Sequence, residues 1–239
     1  MNIEKHSADS RGSANHGWLQ VNHSFSFASY YNPNRMHFGA LRVLNDDTIA
    51  PKMGFGEHPH KNMEIITIPL QGVLKHKDNM SDKWLPIVPN EVQVMSAGSG
   101  VYHSEINGSN NEYLKLFQIW IIPNEDEVTP RHDQRFFLPD ERKNKLQVLV
   151  SNIEGGKEGL KIHQDAMISR IDLDEGENFE YLLKSSAHGV YLMNISGVFE
   201  VEKIQITKRD ALAISDTKGF TVNVKEQSEL LFIEVPMKI

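Results

Sequence analysis

Short stretches in which apolar and polar residues alternate at every second position dominate this chain. That period puts successive side chains on opposite faces of an extended backbone, the signature of a half-buried strand. Residues 40–44 form an apolar stretch that ends on Asn45, Asp46 and Asp47, which read as a turn. Residues 64–70 are rich in β-branched side chains and close on Gln71 and Gly72. Residues 73–76 then read as the second arm of a hairpin. Residues 92–95 alternate into a glycine-rich turn at 97–100, and residues 113–122 alternate before becoming apolar on both faces. In the second half, residues 145–150, 167–173, 189–193, 198–201 and 230–235 read as strands. Asn194 to Gly197 sit between two of these as a turn, as residues 69–72 do earlier. The pieces suggest a weak duplication of one β unit.

Between the halves, residues 123–145 lose this periodicity and carry Pro123, Pro130 and Pro139 among many charges. A domain connection belongs there, dividing the chain into 1–130 and 131–239. Many short strands joined by glycine turns predict an all-β sandwich or barrel for each half.

Composition sharpens this picture in three ways. With 39% hydrophobic and 24% charged residues over 239 positions, the chain has the makings of packed cores. It has no apolar run long enough for a membrane helix, and residues 1–12 are too polar for a secretory leader. The formal charge of −7, with Lys and Arg scattered, argues against a broad nucleic-acid surface. The chain contains no cysteine, so disulfides are excluded and any metal must be held by nitrogen and oxygen. This composition is compatible with a cytoplasmic location.

The candidate chemistry lies in two motifs, His58-Pro59-His60 and His103-Ser104-Glu105. Each has two metal-capable side chains at i and i+2, which share one face of a strand with Cα atoms about 6.5–7 Å apart. Pro59 stiffens the link in the first motif, and Gly98 and Gly100 permit a tight turn before the second. If the two strands face one another, three imidazoles and a carboxylate converge on one ion. That donor set leaves open positions on a five- or six-coordinate metal, unlike a closed structural zinc site. Iron, manganese, cobalt, nickel, copper and zinc all tolerate it. His6, His16, His76, His132, His163 and His188 are read as ordinary structural histidines.

His58-x-His60-x3-Glu64 followed by Gly100-x2-His103-x3-Asn107 resembles the paired motifs of cupins. The wider pattern, His-Pro-His with Ser-Ala-Gly-x-Gly-x-x-His-Ser-Glu, is similar to the pirin family. His16-Gly17-Trp18 and the segment from Ser24 to Pro33 strengthen the likeness. The resemblance covers most of residues 11–150 and implies a bicupin: two jelly-roll-like β-barrels packed together. The metal-binding cupin is then residues 1–130. The second, cupin-like half, residues 131–239, has no His-x-His or His-x-Glu pair and is expected to be metal-free. The general cupin pattern would make Glu64 the carboxylate ligand, and the pirin pattern Glu105. The i, i+2 argument favours Glu105, because Glu64 shares the face of His60 only if the strand runs on unbroken.

Bacterial pirin-like proteins of this kind resemble quercetin 2,3-dioxygenases, oxidoreductases that open the central ring of a flavonol with O2 and release carbon monoxide. The resemblance implies that His58, His60, His103 and Glu105 hold one divalent transition metal ion, iron first, with copper, nickel, cobalt, manganese or zinc as alternatives. The ion would acidify the flavonol 3-hydroxyl, and Glu105 would take the proton as a labile ligand and general base. Phe38, Phe55, Tyr102 and Phe117 lie near the motifs in sequence and could line a flat substrate slot, but an ordinary place in the barrel core is the favoured reading for each, so none is assigned to substrate. Trp18, Phe25, Phe27 and Tyr30 are expected to pack on a barrel, not to meet ligand. The competing reading is a non-enzymatic regulator or redox sensor that acts through a protein partner. It predicts an exposed apolar or basic patch, with no direct nucleic-acid contact and no membrane.

Overall fold

The structure is a computed structural model that describes residues 1–239, with the side chain of Asp82 outside the description. It is almost entirely β, with only two short 3₁₀ turns, Ala8–Ser10 and Pro139–Arg142. The first half builds two antiparallel sheets. One has seven strands in the spatial order Arg131–Phe136, Glu91–Ser96, Glu64–Gln71, Leu114–Ile121, Leu41–Ile49, Leu19–His23, Gly12–Asn15. The other has four, in the order Gly54–His60, Val101–Asn107, Leu74–Asp78, Ser81–Ile87. The second half forms one nine-stranded sheet. Two long strands, His188–Val201 and Gly219–Pro236, run through it.

Among the described residues no sheet closes into a barrel; the expected barrels are cupin sandwiches whose sheets keep free edges. Each half also lends a strand across the connection. Asn2–His6 pairs with Ala211–Ser215 in the second half's sheet. Arg131–Phe136, on the far side of the boundary drawn from sequence, pairs along its length with Glu91–Ser96.

Three expected turns come out differently. Residues 45–47 continue the strand Leu41–Ile49, because strands on both sides supply its backbone hydrogen bonds and override the turn preference of Asn and Asp. Glu64–Gln71 and Leu74–Asp78 do not form a hairpin. Gly72, at φ +83°, passes the chain from one sheet to the other, and each strand finds partners in its own sheet. Asn194 to Gly197 are a bulged stretch inside the strand His188–Val201, with register shifts around Ser196 and Gly197 at φ +90°. The extra residues bend this strand rather than end it.

The seven-stranded sheet is covered on both faces. Its outer face packs Leu44, Ile66, Ile119 and Ile121 into one apolar cluster with Leu149, Ile168, Tyr191 and Ile233 of the second half. Asp46, on that face, accepts hydrogen bonds from Arg209 (3.0 Å) and Arg11 (3.3 Å). The inner face turns Leu19, Ile49, Leu114 and Leu116 toward Leu74 and Ile87 of the four-stranded sheet. This explains why residues 113–122 lose their alternation: both faces of that strand are buried. Further along the same inner face, the apolar filling gives way to a cavity.

Candidate metal centre

Gly54–His60 and Val101–Asn107 lie side by side, with His103 opposite His58 and Val101 opposite His60. In Val101–Asn107 the alternate residues Val101, His103, Glu105 and Asn107 are buried, so His103 and Glu105 share the inward face as their spacing predicts. The register slips between His103 and Glu105, with the extra residue on the His58 strand. Gly54 is needed beside that irregularity: a Cβ there would meet the Glu105 carbonyl oxygen at 2.1 Å. Gly98 is confined as tightly in the turn before His103, where a Cβ would meet the Val128 carbonyl at 1.9 Å.

The result is a cluster of three imidazoles. Ring centroids lie 4.3 Å apart for His58 and His103, 4.9 Å for His58 and His60, and 4.8 Å for His60 and His103. One ring nitrogen from each falls within 4.8 Å of the other two. Burial, and the positive charge that neighbouring rings would carry, push His60 down to about 4 and His103 to about 2. Both are therefore neutral imidazoles at pH 7, the form that ligates a metal. His58 Nδ1 sits 2.8 Å from the Gly56 carbonyl oxygen, so it carries the proton and leaves Nε2 as the donor toward the cluster.

Glu105 stands close by but not in this trio. Its carboxylate groups within 4.8 Å of a nitrogen of His103 and of His76. One oxygen accepts from Gln118 Nε2 at 3.1 Å, and the other is buried without a partner. Burial pushes its carboxyl up to about 7. Glu64 lies elsewhere. His60 ends a strand of the four-stranded sheet, and by Glu64 the chain has crossed to the other sheet. There Ile65 faces the cavity and Glu64 the opposite side, accepting from Ser96 Oγ at 2.7 Å.

The three histidines and Glu105 line a cavity of about 250 Å3 together with Phe27, Asn45, Asp47, Phe55, Ile65, Gln118 and Trp120. Of the four aromatic residues near the motifs that could have lined a substrate slot, Phe55 alone is there. Phe117 and Phe38 pack toward the second half, and Tyr102 is exposed. Phe27, expected only to pack on the sheet, forms a wall of the cavity, its ring 5.2 Å from that of Trp120 in an edge-on contact. Trp120 in turn stands edge-on to His60 at 4.8 Å. Trp18 and Phe25 pack as expected, Trp18 against Phe55 and Phe25 against Tyr191.

Asp47 and Asn45 escape sequence reasoning because their residue types favour a turn. On the strand they actually occupy, they alternate inward. Asn45 Oδ1 pairs with His23 Nδ1 at 2.8 Å, and Asp47, with an unpartnered buried oxygen, is pushed up to about 8 by burial and by the charges of Glu105 and Asp46. His76 and His132 are more than isolated structural histidines. Their rings stack at 5.1 Å and group with Asp78 beside the three-histidine cluster. The signal for His76 and Asp78 was present in the sequence as another i, i+2 pair. All such clusters among the described residues fall in the seven- and four-stranded sheets, none in the nine-stranded one.

A family model described as Pirin matches residues 5–121, and one described as the quercetinase C-terminal cupin domain matches residues 148–235. Quercetin 2,3-dioxygenase of Escherichia coli K12 is 42% identical over 229 residues, covering 96% of each chain. The chain belongs to the pirin family. Another relative, a pirin-like protein of Caulobacter vibrioides, is 40% identical and covers 97% of this chain and 99% of its own. The crystal structure of the bacterial pirin YhhW from Escherichia coli in complex with nickel(II) superposes with a TM-score of 0.92 at 39% identity, each chain covered completely. The pirin bicupin architecture is thus shared over the full length, and the sequence is similar throughout to oxidoreductases named quercetin 2,3-dioxygenase.

The residues present fit a divalent metal. His103 Nε2 and one Glu105 oxygen are buried polar atoms with no partner in the protein, beside two further imidazoles. An unpaired buried polar atom is costly, and a nitrogen-and-oxygen donor set of this kind is made good by a transition metal ion.

Proposed function

We propose that this chain is a metal-dependent dioxygenase that cleaves a flavonol such as quercetin between carbons 2 and 3 with O2, releasing carbon monoxide. One observation carries the reading: His103 Nε2, Glu105 Oε1, Asp47 Oδ1 and Trp120 Nε1 are all buried without partners, and all four residues line one cavity. A core keeps few such atoms, and four around one space are what a polar-edged ligand and an ion would satisfy.

His58, His60 and His103 would hold the ion, with Glu105 as the carboxylate of the set. When bound, the ion supplies Lewis acidity that makes the enolic 3-hydroxyl of the substrate easier to deprotonate. Iron is the first expectation for its identity, and nickel is the metal bound in the Escherichia coli relative. The chain's own residues do the rest. Glu105, as a labile ligand whose Oε1 has no partner within the protein, accepts the 3-hydroxyl proton. Gln118 holds the second oxygen and fixes the carboxylate plane. Phe27, Phe55, Ile65 and Trp120 give the flat apolar walls on which an aromatic ring system stacks and from which water is excluded. Asp47, at the polar side of the cavity, meets a hydroxyl of the substrate.

A cavity that gathers the candidate ligands and apolar walls around one space favours this reading over a regulator that works through its outer surface. The test is quercetin consumption under oxygen, with bound metal measured on the same sample, for the parent and for Glu105→Gln. Turnover should scale with metal in the parent and fall by about 10²–10⁴ in the variant. A metal-loaded parent that leaves quercetin untouched would overturn the substrate. A Glu105→Gln variant that keeps its metal and turns over at the parent rate would overturn the base.

A further inference from the structure

We propose that His76 and Asp78 are positioning residues that lock His103 into the tautomer with its proton on Nδ1, leaving Nε2 free for the metal. This rests on the reading of His103 as a ligand. In the four-stranded sheet, Leu74–Asp78 is the neighbour of Val101–Asn107 on the side away from His58, with Asp78 opposite His103 and His76 opposite Glu105. Both side chains face inward, and both are buried.

The hydrogen bonds fix each role in turn. Asp78 Oδ1 accepts from the backbone N–H of Met80 at 2.9 Å and of Ser81 at 3.0 Å, which anchors the carboxylate. Asp78 Oδ2 lies 3.0 Å from His76 Nε2, and a carboxylate there requires the proton to sit on that nitrogen. His76 is then an acceptor at Nδ1, which faces His103 Nδ1 at 3.5 Å. His103 donates across that gap, so its Nε2 bears the lone pair. That nitrogen is the buried atom left without a partner, beside His58 and His60. The stack of His132 on His76, 5.1 Å apart and within 5° of parallel, holds the ring from behind.

His58 achieves the same end with a backbone carbonyl, the Gly56 oxygen. His103 has an imidazole in that place, one that can accept only because Asp78 occupies its other nitrogen. Removing Asp78's negative charge therefore reaches the metal through two rings. An amide at position 78 can turn its NH2 toward His76 Nε2, which moves the His76 proton to Nδ1. Two N–H groups would then face each other between His76 and His103.

The experiment uses the full chain with ¹⁵N-labelled histidine. In the metal-free protein, long-range ¹H–¹⁵N spectra should show His103 protonated at Nδ1 and His76 at Nε2. Metal affinity is then measured by competition with a chelator for Ni(II), for the parent, Asp78→Asn, His76→Phe and His76→Asn. Asp78→Asn and His76→Phe should bind about 10–100-fold more weakly, the usual cost of removing a partner behind a ligand. His76→Asn places an amide oxygen where Nδ1 was and should recover part of the loss without help from Asp78. A metal-free parent with His103 protonated at Nε2 would overturn the proposal, as would unchanged affinity in both weakening variants. Two ions per chain, the second dependent on His76, would replace the hydrogen bond with a bridging metal. Loss of flavonol turnover with tautomers and affinity as expected would count against the substrate and leave this inference standing.

Discussion

Replacing Asp47 with Asn should stabilise the metal-free protein, and by an amount that depends on pH. The side chain is 4% exposed, one of its oxygens has no partner, and its carboxyl is raised from an ordinary value of 3.8 to about 8, first by burial and then by Glu105 and Asp46. A carboxyl whose folded pKa exceeds its unfolded one binds its proton more tightly when folded. Its contribution is fully present below pH 3.8 and is lost as pH rises toward 8. Each unit between these values costs about 1.4 kcal/mol, so the penalty is on the order of 4 kcal/mol at pH 7 and less than half of that at pH 5. Asparagine has nearly the same shape, stays neutral and pays no such cost. For a chain of this size about 2–4 °C of Tm follows each kcal/mol. Asp47→Asn should therefore melt roughly 8–16 °C above the parent at pH 7 and only about 3–6 °C above it at pH 5. The assay is thermal unfolding by circular dichroism after chelation and dialysis. A shift of equal size at both pH values, or a variant less stable at pH 7, would refute the account of Asp47 as a neutral acid in the folded protein.

Three further outcomes follow from the same geometry. His58→Ala, in the half-buried outer part of the cluster, should abolish stoichiometric metal binding while shifting Tm of the metal-free protein by less than about 2 °C; metal analysis beside a melting curve checks both. Phe27→Ala removes one wall of the cavity and should raise KM for a flavonol about 10-fold, with metal content unchanged, because its ring contacts are with Trp120 and His23, neither of them a proposed ligand. Arg209→Ala should cost about 2–4 kcal/mol in denaturant unfolding, since Arg209 binds Asp46 and the Ile195 carbonyl and lies 5.0 Å from the Phe117 ring centroid, joining the halves. A negligible cost there would mean that the apolar cluster alone holds the halves together.

The sequence by itself determined the all-β class and the common face of each pair of candidate ligands. Two-residue alternation is local, so His58 and His60, and likewise His103 and Glu105, could be placed on common faces without knowing what lay opposite. The same rule places Leu74, His76 and Asp78 on one face and so carries the pair behind His103, which no histidine taken singly reveals. What remained was decided by pairing between distant segments. Asn45 and Asp47 are turn formers by propensity, yet strands from residues 19–23 and 114–121 hold them extended and aim them into the cavity. Glu64 resembled a ligand in the motif, but the crossing between sheets after His60 turned it to the other face. Phe27 and Trp120 became cavity walls because residues far apart in sequence meet only when the sheets pack. Local alternation is written into the backbone's period of two; which strands become neighbours is fixed by burial summed over the whole chain, and no single segment carries it.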